Sequence, residues 1–237
     1  MTILGIDTAG RTMSVALLEE DTLLCEQTLA TGLTHSETLL PTVDSVLKAA
    51  GKTCADIDLF GVCAGPGSFT GLRIGLCAVK GLAFPAATPC AGVSTLEALA
   101  WGHTGCGTVI AAQDARRGEV YWAAFDLLTH ARLTPDSAAP VAALSEFVQN
   151  CPKPLLFVGD GAYLCYTAFA DMAGVVNCPP ALRTARAAGV CLAARAMAER
   201  GETCSPTLLL PSYHRLSQAE RERAERLAKT VKDDGAS

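Results

Sequence analysis

The amino-acid sequence predicts an α/β protein of two lobes built on one plan, the second lobe reduced. Three observations carry that expectation. The chain has 237 residues, too many for one minimal domain and comfortable for two small ones. Half of its residues are hydrophobic and only 18% are charged, which supplies a packed core and little of the composition of disorder. Finally, a meander of apolar segments followed by alternating helix and strand patterns occurs twice along the chain.

The first lobe is expected over residues 1–103. Residues 3–7, 13–19 and 23–29 are apolar or alternating runs separated by turn-forming stretches, which predicts a three-stranded antiparallel meander. Thr34-His35-Ser36-Glu37 has the form of a capping box, in which a hydroxyl and a carboxylate satisfy each other's free backbone amides. A helix is therefore expected to start near His35. Leu39, Leu40, Val43, Val46, Leu47 and Ala50 follow helical spacing and Gly51 supplies a stop. Pro41 inside this helix removes one backbone hydrogen bond. Residues 59–64 read as a buried strand leading through Gly65-Pro66-Gly67 into a helix over residues 69–84. A strand at 90–93 and a helix capped by Ser94, with Glu97 three residues on, close the lobe near His103.

The second lobe is expected over residues 104–215. Residues 108–112 and 118–127 form a hairpin across 114–117. Residues 155–158 are another buried strand, ending in Gly159-Asp160-Gly161, followed by a helix through Tyr166 and Phe169 and an Ala-rich helix over 185–200. Residues 216–237 are expected to form a charged helical tail. A meander followed by alternating helix and strand, done twice, is the outline of the actin-like ATPase (ribonuclease H-like) fold.

The net charge is −5, from 19 basic and 24 acidic residues, which argues against a protein that grips nucleic acid by itself. Residues 1–100 hold ten acids and five bases, whereas 183–229 hold nine bases and five acids. That C-terminal excess fits either a solvated helical face or a weak contact to RNA or an acidic partner. The apolar run at residues 1–6 is short, lacks a basic leader and ends at Asp7, so neither signal peptide nor membrane span is expected there and the location is expected to be cytoplasmic. Eleven cysteines are scattered singly with no Cys-x-x-Cys pair, and read as small buried hydrophobes rather than a disulfide framework. His35, His103, His130 and His214 show no zinc-type spacing with one another or with cysteine, so no metal site is expected.

Asp7 and Thr8, at the end of the first strand, stand where a carboxylate can face metal-bound phosphates, since magnesium takes hard oxygen ligands. The alternative is a strand-end Asp that caps its own turn. The densest motif, AGPGSFTGLRIGL from Ala64, also has two readings. A strand, a glycine turn and a helix N-terminus can cradle an anion. However, the spacing of Gly65, Gly67 and Gly71 misses the dinucleotide fingerprint by one residue, and no Lys stands where a P-loop needs it. The other reading starts from Gly71, Gly75 and Ala78, which bare one helix face and let another helix approach closely. Glycine costs a helix about 1 kcal/mol relative to alanine, so such a face wants a packing reason. Leu72, Leu76, Val79 and Ala83, opposite, can reach the lobe's own core.

GPGSFTGLRIG at 65–75 resembles the hallmark segment of the TsaB family. THSETLLP at 34–41, DARRGEVYWA at 114–123, and Pro211, Tyr213 and Arg215 followed by Gln218-Ala219-Glu220 are similar to further landmarks in family order. The resemblance runs from Ile3 to about Glu220. It implies two actin-like lobes and a non-catalytic subunit that pairs with the paralogue TsaD, which transfers threonylcarbamoyl to the adenosine beside the tRNA anticodon. A small ATPase, TsaE, completes the bacterial set. The resemblance further implies pairing either with TsaD or, as a homodimer, with a second copy, tRNA contacted through the complex, no membrane, no cofactor of its own, and ATP with magnesium mainly on the partner subunits. In the paralogue a His-x-Glu-Gly-His segment supplies metal ligands; the corresponding stretch here is Thr95-Leu96-Glu97-Ala98-Leu99, which implies no metal site and no enzyme. The family's four-helix interface, carried over, nominates Leu39, Leu40, Val43 and Val46 with Arg73, Ile74 and Cys77, to which the bare helix face adds Gly71, Gly75 and Ala78. His214 departs from the family pattern, which has Leu before the Arg. The rival reading is an independent actin-like ATP-binding enzyme, a kinase or ATPase, using a cleft near Asp7 and Thr8. A metallopeptidase reading finds neither ligand set nor nucleophile.

Overall fold

Residues 3–7, 13–19 and 23–29 do form the expected meander, as β1 (Thr2–Asp7), β2 (Met13–Glu19) and β3 (Thr22–Leu29), paired antiparallel in sequence order. The computed structural model describes residues 1–214; the tail expected at 216–237, with Arg215, Gln218, Ala219 and Glu220, lies outside the described residues. Helix α1 (His35–Ala49) crosses to β4 (Leu59–Gly65), and α2 (Phe69–Ala83) crosses to β5 (Cys90–Ser94). Both strands run parallel to β1, giving a sheet of order β3-β2-β1-β4-β5. β1 and β4 are buried along their whole length, as strands covered by helices on both faces must be.

The two faces are read from the side-chain alternation. Ile6 and Val62 meet α2 at Gly75, whereas Gly5 and Gly61 leave the other face bare. Helix α6 (Ala187–Glu199) fills that bare face. A Cβ on Gly5 would stand 2.6 Å from the Cys191 sulfur, and one on Gly61 2.8 Å from the Ala194 methyl. This corrects the boundary expected from sequence, which placed the Ala-rich helix in a second lobe over 104–215. Ala187, Val190, Cys191, Ala193 and Ala194 belong to the first core. Only a helix with such small side chains can lie that close to a sheet. The chain stays with the first lobe after α6: Cys204 pairs with Cys90 at the β5 edge, Leu209 is buried, and the Ser212 amide donates to the Ala64 carbonyl at 2.8 Å.

The second sheet holds β6 (Thr108–Arg116), β7 (Glu119–Asp126), β8 (Ser137–Pro140), β9 (Leu155–Val158) and β10 (Val175–Val176) in the order β10-β9-β6-β7-β8. Helices α4 (Ser145–Asn150) and α5 (Ala162–Phe169) cover one face, and α3 (Thr95–Trp101) covers the other. Leu96, Leu99 and Ala100 of α3 pack on Val109, Ala111 and Phe125, while Ala98 touches α6 at Gly189. Helix α3 is therefore shared by both lobes rather than closing the first.

The caps differ from expectation in an informative way. Thr34 is the N-cap of α1, but its hydroxyl takes no amide, so the box with Glu37 does not form. Ser68 and Ser94 do accept from the amides of Gly71 and Glu97, and the Glu97 carboxylate pairs with Arg132 at 3.1 Å rather than returning to its cap. A full box forms instead at Thr53 and Asp56. The stretch Phe69–Ala86 is apolar enough by composition to cross a membrane, yet Leu72, Leu76, Val79 and Ala83 are spent on the first core.

Candidate functional site

A cleft of about 520 Å³ opens between the lobes. The turn after β1 supplies Ala9, Gly10 and Arg11, the start of α2 supplies Ser68, Phe69 and Thr70, and the β6–β7 hairpin and β9 end supply Gln113, Asp114, Arg116, Tyr121 and Asp160. Asp7 and Thr8 are not on its wall. Asp7 is 1% exposed; one carboxylate oxygen accepts from the Ala9 amide at 2.8 Å, and the Cys63 thiol lies against the carboxylate. Burial pushes its carboxyl up from the usual carboxylate range. Thr8 is fully buried and donates its hydroxyl to the Gly71 carbonyl at 2.7 Å. Both side chains lie beneath the start of α2, just behind the cleft wall formed by Ala9, Gly10 and Arg11. Asp7 caps its own turn.

No binding role is expected from sequence for Arg11, Gln113, Arg116 or Asp160, which line the cleft together with the start of α2. Gln113 is 5% exposed and its enclosed side-chain oxygen has no hydrogen-bond partner among the described residues. Arg116 and Arg117 both sit in the left-handed region, at φ 65° and 58°, where bulky residues are rare. Asp160 opens to the cleft and accepts from the Asp114 amide at 2.9 Å; the enclosing walls, with the Asp114 charge, push its carboxyl up. The DARRG motif was the available signal, because two arginines before a hairpin glycine must be set by the turn. First-turn amides of α2, Arg11 and Arg116 are the groups able to hold an anion here.

The Gly-rich motif does its work by close approach. Gly65 and Gly67 adopt φ 137° and 157°; a Cβ on Gly65 would strike the Ser212 carbonyl, and one on Gly67 would lie 2.7 Å from that of Ala9. Farther along α2, a Cβ on Gly71 would strike the Thr8 carbonyl and one on Gly75 would lie 2.5 Å from the Thr8 hydroxyl. The bare face of this helix therefore packs on its own lobe. Leu39, Val43, Val46, Gly71 and Gly75 are all buried there, which removes them from the ten interface nominees. Leu40 is 54% exposed, Arg73 and Cys77 are exposed, and Ile74 and Ala78 are half-buried.

Tyr213 docks on the same helix. Its ring stacks on Phe69 at 4.5 Å and its hydroxyl accepts from the Arg73 side chain at 2.9 Å. His214 lies 3.1 Å from the Ser212 hydroxyl and 3.9 Å from Asp136. Thr95 and Leu99 are interior, Thr95 beside the Cys63 thiol and Leu99 in the core of the second sheet. Among the described residues no group of three His, Cys, Asp or Glu is placed to hold a metal ion.

The family model described as "TsaD: tRNA N6-adenosine threonylcarbamoyltransferase" matches residues 30–223. The tRNA threonylcarbamoyladenosine biosynthesis protein TsaB of Bacillus subtilis (strain 168) is 35% identical over 177 residues, 73% of this chain and 77% of that protein. The protein of the same name from Escherichia coli (strain K12) is 44% identical over 133 residues, 53% of this chain and 55% of that protein. The structure of YeaZ from Pseudomonas aeruginosa superposes with a TM-score of 0.74 at 29% identity, covering 90% of this chain and 99% of that one. The two mixed sheets have the actin-like ATPase fold that the double meander predicts. With the Gly-rich segment, the α1 start and the DARRG hairpin in place, the chain belongs to the TsaB family, whose curated members are named for tRNA threonylcarbamoyladenosine biosynthesis.

Proposed function

We propose that this protein is the non-catalytic partner of TsaD in the cytoplasmic complex that transfers threonylcarbamoyl to the adenosine beside the tRNA anticodon. TsaE completes the complex, ATP with magnesium resides mainly on those partners, and tRNA is contacted through the assembly. The observation that carries this reading is the position of α3. Thr95 and Leu99, which the family resemblance sets opposite two metal-binding histidines of the paralogue, are buried, and neither side chain can ligate a metal as histidine does.

The surface offered to TsaD, or to a second copy when the protein is alone, is the outer side of α1 and α2, with Leu40, Ile74, Cys77 and Ala78. The test is size-exclusion chromatography with light scattering on the chain mixed with TsaD. Ile74 also packs on its own core, so Leu40→Glu and Cys77→Glu are the cleaner variants. Each places a charge in a desolvated seam and is expected to abolish the heterodimer while the monomer stays folded. Pairing that survives both substitutions would move the interface elsewhere. Transfer of threonylcarbamoyl by the purified chain alone would end the non-catalytic reading.

A second reading, an independent ATP-binding enzyme, is favoured by the cleft, where Arg11, Arg116 and the start of α2 line one opening. Titration calorimetry with ATP and magnesium decides it: no heat at millimolar nucleotide rules that enzyme out.

A further inference from the structure

Cys90 and Cys204 face each other where the C-terminal segment meets the edge of the first sheet. The Cys90 amide donates to the Cys204 carbonyl and the Cys204 amide to the Cys90 carbonyl, each at 2.9 Å. Two residues that exchange both backbone bonds hold their Cα atoms about 5.5 Å apart, inside the disulfide range of about 4.4–6.8 Å. Their Cβ atoms stand about 5 Å apart, wider than the usual disulfide spacing of about 3.5–4.5 Å, so closure draws the C-terminal segment closer to β5. Opposed side chains leave an antiparallel pair on the same face. Both sulfurs are free thiols. Cys90 is fully enclosed, whereas Cys204 is half-buried and within reach of solvent. Charge on Cys204 also opposes ionisation of Cys90, as expected for neighbouring sulfurs.

We propose that Cys90 and Cys204 form a reversible disulfide site, closed by exchange with a small-molecule disulfide, which locks the C-terminal segment onto the first sheet. The Cys204 thiolate attacks one sulfur of the reagent, forms a mixed disulfide and expels one reagent thiolate. The Cys90 thiolate then attacks the Cys204 sulfur and expels the second. Two protein thiols lose two protons and two electrons, and the reagent disulfide is reduced to two thiols. The segment held by this bond carries Leu209 into the core, Ser212 to Ala64 and Tyr213 to Phe69 and Arg73. Burial pushes the Cys90 thiol up to about 11 and raises that of Cys204 as well, while Lys80 works against both shifts. Exchange is therefore slow at neutral pH and rises with the thiolate fraction, about tenfold per pH unit.

The test treats the full chain with excess oxidised glutathione, blocks remaining thiols under denaturing conditions and maps unreduced peptides by mass spectrometry. A peptide pair linked through Cys90 and Cys204, released by dithiothreitol and formed about tenfold faster per pH unit, is expected. Cys204→Ser is expected to lose the link and leave Cys90 unmodified, while the exposed Cys77 and Cys106 take up glutathione in both proteins. Cys90→Ala serves as a second variant, with a thermal melt to establish that each is folded. Limited proteolysis within residues 205–214 is expected to slow several-fold on oxidation of the native chain and not of either variant. A stable glutathione adduct on Cys204 with Cys90 still free overturns the site, and a link without protection from proteolysis overturns the lock.

Discussion

The hydroxyl of Thr8 donates to the carbonyl oxygen of Gly71 at 2.7 Å, tying the turn after β1 to the first turn of α2. That contact requires a residue without a Cβ at position 71, since any Cβ there would collide with the Thr8 backbone carbonyl. A Cβ on Gly81 of the same helix would meet no atom of the described residues within 4 Å. Gly71→Ala is therefore expected to destabilise the protein by about 3 kcal/mol, at the upper end of overpacking costs, whereas Gly81→Ala stabilises it by about 1 kcal/mol through helix propensity. Urea denaturation of the two variants checks the pair, and equal effects would contradict the packing of α2 on Thr8.

Asp7 supplies a pH dependence of definite sign. Burial raises its folded-state pKa, so ionisation opposes folding. Its contribution is most favourable below the unfolded-state pKa and is lost as pH rises through the folded one. Asp7→Asn keeps an oxygen for the Ala9 amide and removes the charge. The variant should gain stability over the native chain at neutral pH and lose that advantage in acid, as read from urea midpoints at the two conditions.

Leu99 tests whether the lobes share one core. It is 2% exposed and packs among residues of the second sheet from a helix that follows the first. Leu99→Ala should cost about 2–5 kcal/mol. A calorimetric scan should still show one transition if the lobes unfold together, and splitting into two would show that α3 is their main coupling.

Tyr213 is partly open, yet it stacks on Phe69 and bonds to Arg73. Tyr213→Ala is expected to cost about 1 kcal/mol and to speed amide hydrogen exchange at Ser212 far more than in β1 or β4. Unchanged exchange at Ser212 would mean that its bond to Ala64 holds the segment without the ring.

Most of the first lobe was legible because its elements are long enough to show a period. Apolar runs mark β1, β2 and β4, and the spacing of Leu39, Val43, Val46 and Leu47 marks the buried side of α1. Elements of the second lobe escaped where they are too short for any pattern, as in the two residues of β10, the Ser-Ala-Ala-Pro of β8 and the six of α4. The cleft escaped for a different reason. Arg11, Gln113, Arg116 and Asp160 lie on separate turns, and nothing local says that these turns converge.

The sequence by itself determined the order of the long strands and helices and, through the ordered motifs at 34–41, 65–75 and 114–123, membership of the TsaB family. Only the tertiary structure decided what each buried face meets. It returned α6 to the bare face at Gly5 and Gly61, turned Gly71 and Gly75 toward Thr8, and left Leu40 and Cys77 outside. The physical reason is that periodicity is local: it reports which side of an element avoids water, whereas the partner of that side is chosen by shape between segments far apart in the chain.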